Sequence, residues 1–256
     1  MLKWGKRGEK MKYRGLSQET LKLIACVTML IDHIAAVLVI PSDAAMLAGD
    51  TTVAWINVFM RGIGRVAFPI FCFLLVEGAH HTRNPRKYAL RLSLGMVLSE
   101  IPFDLAFFGG PTWAHQSVMV TLLLGFGMIQ GMKRVKHIWK LICILPFYLV
   151  AEWLHTDYAG EGILIIAMFA LVKEVRHENW VRLAGMALLL WDNTAMFQWN
   201  LGVPIYYNRI RMLSAVPIFC YDGSKRTYSK AVQWAFYLFY PVHITILLLV
   251  KMLCTA

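Results

Sequence analysis

Charge is scarce in this chain. Only 16% of its 256 residues are charged, and 15 are acidic. A soluble domain carries about 25% charged residues, so a soluble globular reading is excluded. Ten-residue segments of alternating polarity are missing, which excludes a membrane β-barrel. No CxxC pair or Cys/His zinc spacing occurs, so Cys26, Cys72, Cys143, Cys220 and Cys254 are expected to be free thiols with no metal site. Residues 1–14 are basic, and no short apolar stretch with a small-residue cleavage site follows them. A cleavable signal peptide is therefore not expected. No internal repeat is visible, which counts against a carrier built from paired broken helices.

Apolar sequence is abundant: 58% of residues are hydrophobic and the mean hydropathy is +0.55. Apolar runs recur with short polar breaks, which predicts an all-α, polytopic transmembrane bundle. The expected helices are 21–40, 52–79, 86–108, 115–132, 137–154, 160–172, 180–198, 203–219 and 231–253, about nine crossings. The second is long and contains Gly62, Gly64 and Pro69, so an interfacial helix followed by a kinked crossing is expected. The eighth is interrupted by Arg209 and Arg211.

The breaks Pro41–Thr51, Gly109–Ala114, His155–Ala159 and Trp199–Gly202 contain no Lys or Arg. The amino terminus and the alternate breaks hold most of the basic residues, including Lys3, Arg83, Arg86, Lys133, Lys173 and Arg226. The positive-inside rule then places the amino terminus in the cytoplasm and the carboxyl terminus outside. Topology explains the net charge of +11, and no nucleic-acid partner is expected.

Polar residues inside apolar runs mark where to look for chemistry. Asp32 and His33 sit in the middle of Leu21–Ile40. As helix neighbours they point roughly 100° apart, so His33 can face the bundle while Asp32 meets another helix. Arg61 and Arg65, at i and i+4, share a face, and a structural ion pair of Arg65 with Asp32 is one reading of them. Glu77, His81, Arg83 and Asn84 crowd the expected cytoplasmic mouth, as a phosphate site or a plain positive-inside anchor. Glu100 and Asp104 flank Pro102 in the third helix, either at a functional cavity or as an interfacial pairing site. Asp157 falls in an outer loop, where solvation is the simpler reading. Tyr240 and His243, at i and i+3, share a face at mid-membrane depth.

These segments resemble the TraX family. The pieces that carry the resemblance are MLIDHIA at 29–35, GRVAFPIFCFLLVEG at 64–78 and HTRN at 81–84. RLSLGMVLSEIPFDLAF at 91–107, DYAGEG at 157–162 and FYLFYPVHI at 236–244 continue it, in the family's order. The chain departs from the family at Ala35, where a glycine is usual, and at Tyr221-Asp222-Gly223, where a YNG turn is usual.

The resemblance implies a basic segment at 1–20 and one transmembrane acyltransferase-like domain over 21–256, in a bacterial inner membrane. It implies acetylation, since the family's namesake acetylates a pilin amino terminus. The donor would be cytoplasmic acetyl-CoA and the acceptor an amine or hydroxyl on a peptide, glycan or small molecule. The role of base carries onto His33, and donor binding onto His81, Arg83, Asn84 and Arg91. Arg61 and Glu77 are assigned to the same donor group. Asp32, Arg65 and His243 are placed in the catalytic set, and Glu100, Asp104, Asp157 and Tyr240 with the acceptor.

The residues themselves suit that chemistry. A histidine titrates near neutrality and can take the acceptor's proton. Arg61, Arg65 or a free backbone amide could hold the oxyanion. A helical rise of about 1.5 Å per residue puts His33 about 18 Å from Leu21, so two substrates could meet there from opposite faces. Two other functions use similar parts: a proton-coupled transporter, which needs buried Asp, Glu and His, and a membrane assembly scaffold, which needs no polar constellation.

Overall fold

A computed structural model describes residues 15–40, 42–136, 138–173, 185, 207–224 and 230–255. The described part is helical, with no strand longer than an isolated bridge. Helix α1 (Gln18–Leu38) starts at Ser17, whose hydroxyl accepts the Thr20 amide at 3.3 Å, and Glu19 in its first turn suits the helix dipole. Short α2 (Ser42–Leu47) lies in the first break, where no helix was expected. Asp50 caps α3 (Thr51–Gly64) by accepting the Val53 amide at 3.0 Å. Helix α4 (Ala67–His81) follows after a two-residue interruption. Asn84 caps α5 (Pro85–Phe108), with Pro85 at its first position and Gly109 ending it at φ 76°. Then come α6 (Val118–Met132), α7 (Trp139–Trp153) and α8 (Ala159–Val172).

The expected seventh helix, 180–198, lies outside the described residues. The eighth is a 3₁₀ helix over Tyr207–Ser214 that continues as α9 (Ala215–Phe219). The last helix, α10 (Lys230–Thr255), contains Pro241.

Gln18–Leu38, Thr51–His81 and Ala231–Cys254 are each long and apolar enough to cross a membrane, and Val118–Met132 and Ala159–Val172 are shorter apolar helices. The protein is thus an all-helical membrane bundle. Large apolar side chains that face outward, such as Phe59, Leu141, Leu145 and Leu253, suit a lipid surround.

The expected kink in the second segment falls at Arg65-Val66, between Gly64 and Pro69. There the Arg65 and Val66 amides donate to Gly62 and Ile63 carbonyls, at 3.1 and 3.2 Å. Pro69 lies in the first turn of α4, where a helix needs no amide donor. The interruption sets α3 against α1 and α4 against α1, α6 and α8. Helix α10 packs along α5 and against α1, which brings the first and last helices together.

One face of the bundle holds the start of α1 and the end of α4. There the Leu16 amide donates to the Cys220 carbonyl at 2.8 Å and the Gln18 amide to Ser224 at 3.0 Å. This is called the amino-terminal face below.

Candidate functional site

The two residues of the Asp32-His33 pair go to different helices. Asp32 meets α3, where Arg61 Nη1 donates to its Oδ2 at 2.6 Å. The register is tight: a β-carbon on Gly64 would collide with the Asp32 side chain, so only glycine lets α3 lie this close to α1. Arg65 follows one turn after Arg61 and acts electrostatically on both Asp32 and Asp157. Asn57 extends the α1–α3 seam by donating to the Ala35 carbonyl at 3.1 Å.

His33 faces α10. Its Nδ1 lies 2.6 Å from Nε2 of His243, and both rings are buried. The ring planes are within 5° of each other and their centroids are 4.9 Å apart, the geometry of an in-plane hydrogen bond between two imidazoles. His243 Nδ1 lies 2.6 Å from the Phe239 carbonyl, which can only accept, so that nitrogen carries the proton. In the neutral ring His243 Nε2 is then an acceptor, and His33 Nδ1 must be the donor. The chain of bonds ends at His33 Nε2, which holds a lone pair and has no hydrogen-bond partner among the described residues. Backbone and His243 together set the tautomer that leaves His33 Nε2 unprotonated. Phe107 and Tyr240 stand edge-on to the His33 ring, at 5.5 and 5.9 Å.

A cavity of about 430 Å³ runs from the amino-terminal face towards this pair. Its mouth has Gln18, Lys22, His81 and Arg91, and its inner end has Met29, Val118, Phe239 and Tyr240. Arg91 is held over the rings of Tyr88 and Tyr237, at 5.8 and 5.1 Å, and its Nε has no hydrogen bond. A guanidinium so placed offers a fixed positive fork to an anion in the cavity. Cys26 also lines it, about two turns from His33 on α1.

Not every expected donor residue is here. Arg83 and Asn84 are exposed beside the mouth, with Asn84 used as the α5 cap. Glu77 is 2% exposed and is engaged with Lys173 of α8 and, at 3.8 Å, with His81. Arg61 stands at the Asp32 end, away from the mouth.

The far side of the pair is organised by two loops. Asp157 lies between α7 and α8, and its amide donates to Gln116 at 2.8 Å. Three non-glycine residues around it have positive φ: His155, Tyr158 and Ala159, at 48°, 77° and 40°. Such backbone costs about 1–3 kcal/mol per residue and persists where the surroundings enforce it. The loop carries Asp157 to the Asp32, Arg61 and Arg65 cluster, where burial is the main effect that lifts its carboxyl to about 6. The carboxylate keeps an open face even so, which means that it lies in a crevice of the protein wall.

Glu100 and Asp104 are spent on the other loop. Glu100 accepts from the Ser117 hydroxyl and amide at 2.8 and 3.2 Å, and Asp104 from the Thr112 amide at 2.9 Å. Both carboxylates hold the segment between α5 and α6, and Asp104 Oδ1 is buried without a hydrogen bond. Lys22, Tyr88, Tyr237 and His115 belong to the site and were not singled out from the sequence. For Tyr88, its place three residues before Arg91 was a usable sign.

Fold and site define a class: an all-helical membrane protein with a buried histidine relay between a cavity and a charged cluster on its far side. The chain matches the TraX protein family over residues 17–251 and belongs to it. It is 28% identical over 241 residues to the probable fimbrial assembly protein FimC, serogroup H1, of Dichelobacter nodosus. That alignment covers 91% of this chain and 94% of the relative. No solved structure matches it.

Proposed function

We propose that this protein is an inner-membrane acetyltransferase that moves an acetyl group from acetyl-CoA to an amine or hydroxyl reached from the opposite face. The observation that carries the reading is the His33–His243 bond of 2.6 Å beside Tyr240, a residue that lines the cavity holding Arg91. His33 Nε2 takes the acceptor's proton as the acceptor's own lone pair attacks the thioester carbonyl. The imidazolium so formed is stabilised through Nδ1–H, which donates to His243. When the C–S bond breaks, the thiolate takes the proton back from Nε2. Arg91 and the groups at the mouth bind the donor's phosphates, and the apolar length of the cavity takes its thiol arm. Asp32 and Asp157, with Arg61 and Arg65, shape the acceptor side. The relative's name, a probable fimbrial assembly protein, supports a pilus-linked acceptor, such as a pilin amino terminus. Charge placement supports a cytoplasmic amino-terminal face, on which the donor is made.

Purified protein incubated with labelled acetyl-CoA should release CoA faster than buffer, and His33→Gln should lose about 10²- to 10⁴-fold of that rate. His33→Gln at the wild-type rate would remove the base and the proposal. CoA should also raise the melting temperature of the protein, because it fills the cavity. A carrier or assembly scaffold predicts neither result.

A further inference from the structure

Tyr240 holds a hydroxyl to which the steps above give no task. Its side chain is 5% exposed and lines the inner end of the cavity. Its ring stands edge-on to both relay histidines, 5.9 Å from His33 and 5.6 Å from His243. The oxygen lies near the Val118 amide but makes no hydrogen bond of ordinary geometry. Burying a phenol oxygen without a partner costs free energy, and a phenylalanine would fill the same space without that cost. The hydroxyl therefore suits a partner that arrives with the substrate.

We propose that Tyr240 is an oxyanion donor for the acetyl transfer, an inference that rests on the reading above. The position next to His33, at the end of the donor cavity, is where a thioester carbonyl would lie. As the acceptor's lone pair bonds to the carbonyl carbon, the C=O electron pair moves onto oxygen and the acceptor's proton goes to His33 Nε2. The Tyr240 O–H donates to that oxygen and keeps its own proton. The C=O bond then re-forms, the C–S pair leaves on sulfur, and the thiolate takes the proton from His33. Val118 is the first residue of α6, and its amide, which a helix start leaves without an internal partner, is directed at the Tyr240 oxygen, where it helps polarise the O–H. Arg61 is a poorer choice because Asp32 already holds it at 2.6 Å.

The test is Tyr240→Phe in the full chain, in detergent or nanodiscs, with water as acceptor. CoA release from acetyl-CoA gives the rate, and protection from thermal unfolding by CoA gives donor binding. Loss of one oxyanion donor predicts a fall in kcat of about 10²- to 10³-fold with CoA protection unchanged. A variant at the wild-type rate overturns the inference alone. A variant that has lost CoA protection shows a packing role and overturns it too. Wild-type protein that releases no CoA above the protein-free rate overturns the acetyl-transfer reading, and this inference with it.

Discussion

His243 is expected to act through His33, and removing it should cost a calculable amount. In His243→Phe an aromatic ring still fills the space beside Phe239 and His33, which now stack on or pack against His243. What is lost is the acceptor 2.6 Å from His33 Nδ1. The bond matters most when His33 is an imidazolium, because a hydrogen bond to a charged group contributes about 1.5–3 kcal/mol. At about 1.36 kcal/mol per tenfold, kcat should fall about 10- to 150-fold. That is less than the loss expected from His33→Gln, since Phe leaves the base in place but frees its tautomer. His243→Gln should fall between wild type and Phe, because an amide oxygen can still accept from Nδ1–H. The assay is CoA release against acetyl-CoA concentration, read by mass spectrometry to avoid the protein's own thiols. KM for acetyl-CoA should stay constant, as befits a residue that positions another. His243→Phe at the wild-type kcat, or with a change in KM alone, would refute the relay.

Three further outcomes follow from the geometry. Gly64→Ala would press a methyl group into Asp32, so it should lower the melting temperature in detergent, with overpacking costing about 1–3 kcal/mol. Arg91→Ala should raise the KM for acetyl-CoA about tenfold, and by more than Arg83→Ala, whose side chain lies outside the cavity lining. Asp157 supplies a pH signature. Its carboxyl is lifted to about 6 in the folded protein, against about 3.9 unfolded, so its contribution to stability is complete below pH 4 and declines as pH rises through 6. Asp157→Asn should therefore melt like wild type near pH 4 and above it near pH 7. The difference will be modest because the side chain keeps an open face.

Much of this was legible in the residues. The apolar runs give most helix bounds to within three residues, since crossing lipid demands an unbroken apolar stretch. The divergence of Asp32 and His33 follows from 100° per residue. What could not be read was partnership between helices. Whether Arg61 or Arg65 pairs with Asp32 depends on how far α3 slides along α1, and that is set by the close pass at Gly64. His33 and His243 were both singled out, but the bond between them could not be read, because nothing local says that the first and last helices touch. Gly62, Gly64 and Pro69 marked a kink in the second segment without fixing its position; proline is at ease in a helix's first turn, and the interruption falls between Gly64 and Pro69. Asp157 looked solvated because its loop is short and polar. Its strained backbone, which turns it towards the arginines, has no sequence mark such as glycine.

The relay nitrogens come from residues 210 positions apart in the chain. A ribosome delivers α1 to the membrane first and α10 last, so every intermediate in synthesis carries His33 without the partner that orients it. Chemistry at His33 therefore waits on insertion of the final helix. The same separation makes the protein a candidate for division into two pieces: a fragment ending after α9 should be inert, and supplying α10 as a separate membrane peptide should restore the relay to the extent that α5 and α1 recapture it.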